Sequence, residues 1–213
     1  MITSTLTTKQ TGTQVMTEMV TEMPKQRVGI LGGTFNPPHL GHLIIADQVG
    51  KQLGLNKVLF MPNAQPPHID PKLAIDPLLR ARMVRRAIFG NPLFDLEMSE
   101  IQRGGKSYTY DTMVDLKTRH PKTEYYFIIG GDEVAYLPKW HRIDELAKIV
   151  TFVGVGRAGY KKQTPYPVIW VDVPTIDISS SMIRDRVKRG QSIHYLVPEA
   201  VEAYIKEHQL YHE

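Results

Sequence analysis

Residues 28–42 read VGILGGTFNPPHLGH, with His39 and His42 three apart around Gly41, immediately after two adjacent prolines. At that spacing two imidazoles opening a helix share one face. The first helical turn adds unbonded N–H groups and the positive end of the dipole, so the residues predict a phosphate pocket. Ahead of them an apolar run ends in Gly32 and Gly33, where the missing Cβ lets a ligand approach the backbone. Two other uses of the histidines stay open: surface or capping residues, and a metal pair. Zinc would want a third and fourth ligand at readable spacing, and the chain has no cysteine.

Two further stretches carry chemistry of the same kind. DISSSMIRDRVKRG, residues 177–190, offers Ser179, Ser180 and Ser181 as N-cap hydroxyls, with Arg184 one turn in and able to reach back over the helix start. That is a second phosphate grip, while Arg186, Lys188 and Arg189 make an ordinary solvated basic face. YYFIIGGDEVAYLPKWH, residues 125–141, runs a buried strand into Gly130, Gly131 and Asp132, whose carboxylate suits a ribose hydroxyl. Trp140, beside Pro138, can stack on a flat heterocycle or pack under its loop. GKSYTYDTM, residues 105–113, supplies backbone donors and places Thr109 at a helix start.

The elements that must position these residues alternate in period. Strands are expected at residues 27–31, 57–61, 94–100, 125–129, 149–155 and 168–173, and helices at 39–53, 76–89, 109–119, 143–148, 180–189 and 198–208. Strand alternating with helix implies an α/β fold, a mostly parallel sheet with helices on both faces, and ligands beyond the carboxyl ends of the strands. Residues 1–26, rich in threonine, are expected to be a mobile extension ahead of one domain spanning residues 27–213.

Composition narrows the classes. At 213 residues and 42% apolar content the chain can bury one sizeable core. The absence of cysteine excludes a disulfide scaffold, a thiolate metal site and a cysteine nucleophile. With 26 Lys and Arg against 22 Asp and Glu the chain favours anions only mildly, which suits a phosphorylated small molecule as well as nucleic acid. No membrane-length apolar run or secretory signal is visible, so a cytoplasmic protein is expected.

GGTFNPPHLGH, ISSSMIR, SYTYDTM and GGDEVAYLPKW together resemble the class-I synthetase-like nucleotidyltransferases, and within them the bacterial nicotinate mononucleotide adenylyltransferases. The resemblance runs from about Arg27 to the C-terminus and implies a Rossmann-like doubly wound fold. It implies transfer of the adenylyl group of ATP to nicotinate mononucleotide, with Mg²⁺ accompanying ATP and no metal ligands on the protein. By the same resemblance ATP meets Gly32, Gly33, Thr34, Phe35, His39, Gly41, His42, Gly131, Asp132, Ile178, Ser179, Ser180, Ser181 and Arg184, of which His39, His42 and Arg184 are catalytic. Nicotinate mononucleotide meets Gly33, Thr34, Asn36, Thr109, Trp140 and His141, with Trp140 stacked on the pyridine. The chain departs from the family at Asn36, where Asp is common, at Ser181, where Thr is, and at His141, often aromatic. Ile69 and Asp70 follow Pro66 to His68 where a basic residue is frequent, leaving Lys72 as a substitute. The resemblance implies no nucleic-acid or membrane partner and leaves a homo-oligomer open. The competing readings are a nicotinamide mononucleotide or phosphopantetheine adenylyltransferase and, in another class, a non-catalytic nucleotide binder or a synthetase-like RNA-binding protein.

Overall fold

The computed structural model describes residues 25–65, 74–156, 163–174 and 176–212. Its strands are β1 (Gln26–Gly33), β2 (Lys57–Pro62), β3 (Phe94–Leu96), β4 (Thr123–Gly130), β5 (Thr151–Val155) and β6 (Val168–Val171). All pair in parallel in the order β3-β2-β1-β4-β5-β6. The order runs outward in both directions from the β1–β4 pair, so the crevice of this doubly wound sheet opens there.

Parallel strands buried on both faces explain the continuous apolar runs that mark them. Leu31, Phe60, Ile128 and Val153 face one layer, where Ala46 and Val49 of helix α1 (Leu40–Gln52) and Val84 and Ile88 of α2 (Pro77–Ile88) cover them. Ile30, Met61, Phe127, Ile129 and Phe152 face the other. There they meet Met113 and Leu116 of α4 (Thr109–Arg119) and Ile143 and Leu146 of α6 (Ile143–Leu146). A third cluster joins Met83 of α2 to Ile183 and Val187 of α7 (Ser180–Lys188) and to Val201, Tyr204 and Ile205 of α8 (Glu199–Glu207).

The strand expected at residues 94–100 is half wrong. Pairing with β2 stops at Leu96, and Ser99–Arg103 form a short helix, α3. The side chain of Glu97 accepts from the backbone N–H of Ser99 at 2.9 Å and so starts the turn. Gly131–Val134, expected as loop, are a single helical turn, α5, and Leu137–Lys139 a 3₁₀ turn that ends at Trp140. The segment Pro66 to His68 with Ile69, Asp70 and Lys72 lies outside the described residues, as do residues 1–24.

Candidate active site

A cavity of about 620 Å³ opens at the carboxyl ends of β1 and β4. Gly32, Gly33 and Thr34 form one wall, His42 stands beside them, and Thr109, Trp140 and His141 close the far side. Seven of the expected site residues therefore meet around one space.

The β1–α1 loop is shaped by its own packing. Phe35 takes a left-handed φ of 49° and turns its ring inward, 5.8 Å from that of Phe60 and 4.9 Å from that of His42. A Cβ on Gly33 would lie 3.1 Å from the Phe35 ring, so this glycine serves the turn as well as any ligand. Helix α1 begins at Leu40, one residue later than expected, which leaves His39 outside it as the N-cap. The His39 backbone N–H donates to Nδ1 of His42 at 3.2 Å, and the two rings lie 3.7 Å apart. An Nδ1 that accepts places the proton of a neutral imidazole on Nε2, so the His42 ring donates from Nε2. His39, 7% exposed, is outside the cavity wall. The capping use of the pair is thus realised without removing His42 from the cavity.

The serine–arginine motif arrives from the other end of the chain. Ser179 caps α7 by accepting from the Met182 N–H at 3.2 Å. The Ser180 hydroxyl donates to the Pro37 carbonyl at 2.8 Å, and Arg184 donates to the Asn36 carbonyl at 2.9 Å. These bonds stitch α7 to the β1–α1 loop, but Ile178, Ser179, Ser180, Ser181 and Arg184 do not line the cavity. Ile178 is buried in the third core cluster, and Ser181 is exposed. The Asn36 side chain, also off the cavity wall, accepts from the Tyr211 hydroxyl at 2.9 Å. Burial pushes that phenol well above its ordinary range, against the opposing pull of Arg184 and Arg80, and keeps it a donor.

At the far side Trp140 packs nearly perpendicular to Phe127 and Phe152, with centroids 5.7 and 6.3 Å away, and still lines the cavity. The packing use is realised, and the ring remains open to the cavity. His141 lies against Tyr108, 4.5 Å between centroids. Tyr108 precedes α4 and provides no side-chain cap, and it lines the cavity with Thr109, so the start of α4 stands at the cavity rim. Gly131 opens α5, and nothing is described of the Asp132 side chain. Gly41 sits in the first turn of α1, where a Cβ would come 3.1 Å from the His39 ring.

Sequence reasoning missed three buried polar residues. Glu100 and Ser107 both line the cavity and are buried. Arg80, 1% exposed, lies behind the wall and bonds the carbonyl of Thr34 at 2.6 Å. Its signal was present: Arg80 stands four and eight residues before Val84 and Ile88 and so on the buried face of α2. Glu100 gave no such sign, because its segment imitates a strand.

Residues 30–186 match the model of a family described as cytidylyltransferase-like, and the chain belongs to that class of nucleotidyltransferases. Within the class it is 65% identical over 207 residues to a "Probable nicotinate-nucleotide adenylyltransferase" of Lactiplantibacillus plantarum, covering 97% of this chain and 98% of the relative. A protein of the same description from Enterococcus faecalis is 55% identical over 189 residues, 89% of this chain and 86% of its own. It is with these nicotinate-nucleotide adenylyltransferases that the chain is grouped. Among solved structures, the Plasmodium falciparum nicotinic acid mononucleotide adenylyltransferase complexed with NaAD has the same fold, with a TM-score of 0.73 at 19% identity, over 87% of this chain and 97% of that one.

Proposed function

We propose that the chain transfers the adenylyl group of ATP to nicotinate mononucleotide, releasing pyrophosphate and forming nicotinate adenine dinucleotide in NAD biosynthesis. The observation that carries this reading is one cavity with two ends suited to anions, His42 at the start of α1 and the uncapped start of α4, with Trp140 beside the second. A pyridine carboxylate fits the α4 end, and phosphates fit the α1 end. The description of the 65% identical relative supports the same substrate.

The attacking group is the 5′-phosphate of the mononucleotide, already ionised at neutral pH. One of its oxygens forms a bond to the α-phosphorus of ATP as the bond to the pyrophosphate oxygen breaks, so no general base is needed. Catalysis then rests on alignment, worth about 7–11 kcal/mol, and on preorganised donors, each worth about 3 kcal/mol. We assign His42 Nε2 and Arg184 to phosphate oxygens, with His39 setting the His42 ring and Ser180 holding α7 to the loop. Among the described residues no three His, Asp or Glu side chains converge as metal ligands. The Mg²⁺ expected here is one carried by the triphosphate, and no step is routed through a protein-held ion. Two soluble nucleotides as substrates fit a cytoplasmic setting. No helix among the described residues is long and apolar enough to cross a membrane.

Pyrophosphate release with ATP and, in turn, nicotinate mononucleotide, nicotinamide mononucleotide and phosphopantetheine tests the reading. The highest kcat/KM is expected with nicotinate mononucleotide. A preference for either of the other two, or no release with any, defeats it.

A further inference from the structure

Arg80, behind the cavity wall, and Glu100, on it, are buried ionisable groups, 1% and 3% exposed. Burying an ion costs several kcal/mol unless every donor and acceptor is met. For Arg80 all five N–H groups are met, and by oxygens alone. Nε donates to the Ile75 carbonyl at 3.1 Å, and Nη1 to the Thr34 carbonyl at 2.6 Å and to Asn63 Oδ1 at 3.2 Å. Nη2 donates to the Asn63 and Ala64 carbonyls at 2.8 and 3.1 Å. Arg80 thereby ties the nucleotide loop after β1 to the segment after β2.

That segment is held from the other side by the pyridine end. The Ala64 N–H donates to the Ser107 hydroxyl at 2.9 Å, and the Ser107 N–H donates to the Gln65 carbonyl at 3.0 Å. Glu100 is buried beside Ser107 on the same cavity wall. It accepts from the Thr112 hydroxyl at 3.1 Å, and Arg103 donates to that hydroxyl at 2.8 Å. Thr112 lies in the first turns of α4, next to the rim residues Tyr108 and Thr109.

We propose that these bonds, Thr34 to Arg80 to Ala64 to Ser107 at the entry to α4 and Glu100 to Thr112 within it, form a strut that fixes the nucleotide loop and the start of α4 at one separation. Arg80 and Glu100 are positioning residues: they set the distance between the two bound substrates and so the line of attack on the α-phosphorus. The proposal rests on the two-substrate reading above and specifies what holds its geometry. A misplacement of about 1 Å costs roughly 100-fold in rate, which is the scale at which such a strut acts.

The test compares Arg80→Lys, Glu100→Gln and the double variant with the wild-type chain. Their kcat is expected to fall about 10- to 100-fold while ATP alone and nicotinate mononucleotide alone bind within about threefold of wild type. Because the two residues act through one strut, the double variant should be no slower than the slower single variant. Losses that multiply, a raised KM with kcat kept, or a lowered melting temperature with unchanged kinetics would each overturn the strut. Should these variants fail to fold, Ser107→Ala removes only the hydroxyl joint. A comparable kcat loss then supports the proposal and an unchanged kcat refutes it. If the wild-type chain turned over a different nucleotide, the substrate reading would fail, and the same variants would still test the strut on that nucleotide.

Discussion

His42 shows how one residue serves local structure and chemistry together. Its Nδ1 accepts from the N–H of His39, which opens the helix correctly and fixes Nε2 as the donating atom. In His42→Ala, we expect kcat to fall about 10²- to 10³-fold with a cooperative melting transition retained, the loss of one preorganised donor. Near wild-type turnover would remove His42 from the phosphates. Trp140→Ala should weaken nicotinate mononucleotide binding by about 5- to 100-fold, the worth of one aromatic stack, and leave ATP affinity nearly unchanged. Calorimetry with each nucleotide separates that result from an equal loss of both. Glu100 carries a pH signature. Burial raises its pKa above the ordinary 4.5, outweighing the hydrogen bonds from Ser107 and Thr112 and the charge of Arg103 that oppose the rise. Below that ordinary value Glu100 is protonated in both folded and unfolded chains. As pH climbs from about 4.5 through the raised value the unfolded chain ionises first, and stability is lost. The stability of Glu100→Gln relative to wild type should therefore improve with pH across that window and level off above it. Denaturant midpoints at several pH values check this, and a flat difference would show that Glu100 pays no burial penalty. Residues such as His42, Thr109 and Trp140 were legible in the sequence because each belongs to a stretch whose glycines, prolines and helix start are unusual together. Arg80 was hidden among the other basic residues of RARMVRR, and only its place on the buried face of α2 sets it apart.

Elements bring together what sequence separates by more than 140 positions. Arg184 and Ser180, at the start of α7, bond carbonyls of the loop between β1 and α1. Arg184→Ala should lower turnover and loosen that loop together, visible as faster amide hydrogen exchange at residues 35–38 as well as slower pyrophosphate release. Unchanged exchange with lost activity would place Arg184 on phosphate alone. Helix α2 depends on its cap in the same manner: the Asp76 carboxylate accepts from the N–H groups of Leu78 and Leu79 at 2.7 and 3.3 Å. Asp76→Ala should cost about 1 kcal/mol in denaturant unfolding, and an unaltered midpoint would deny the cap its role. The elements themselves were largely readable, since buried parallel strands leave apolar runs and amphipathic helices leave a 3.6-residue period. Helix α4 lies where its pattern put it, at Thr109–Arg119. The failure at residues 94–100 has a local cause: Phe94, Leu96 and Met98 alternate as in a strand, but pairing ends at Leu96 and the Glu97 carboxylate accepts from the Ser99 N–H that opens α3. Stitching bonds such as Arg184 to Asn36 leave no trace in either period, because they depend on where the sheet carries distant segments.

At the scale of the whole molecule, the β1–β4 switch point divides the chain into two halves, each of which supplies part of one cavity. The first half gives the loop after β1 and the start of α4, and the second gives the carboxyl end of β4, Trp140 and, through α7, the clasp on that loop. Every strand pairing, all three apolar clusters and every cavity-lining residue fall within residues 26–211. The threonine-rich composition of residues 1–24 offers little apolar surface to add to that core. Deleting them should leave pyrophosphate release within about twofold of the full chain and the melting temperature nearly unchanged. The measurement is sensitive enough to decide: a contribution of about 1 kcal/mol would move the melting temperature of a domain this size by roughly 2–4 °C. A shift of that size, or a drop in kcat/KM for either nucleotide, would mean that the segment completes the core or the cavity. An unchanged protein would place the whole catalytic unit in residues 25–213, with the strut between Thr34 and Glu100 as its inner brace.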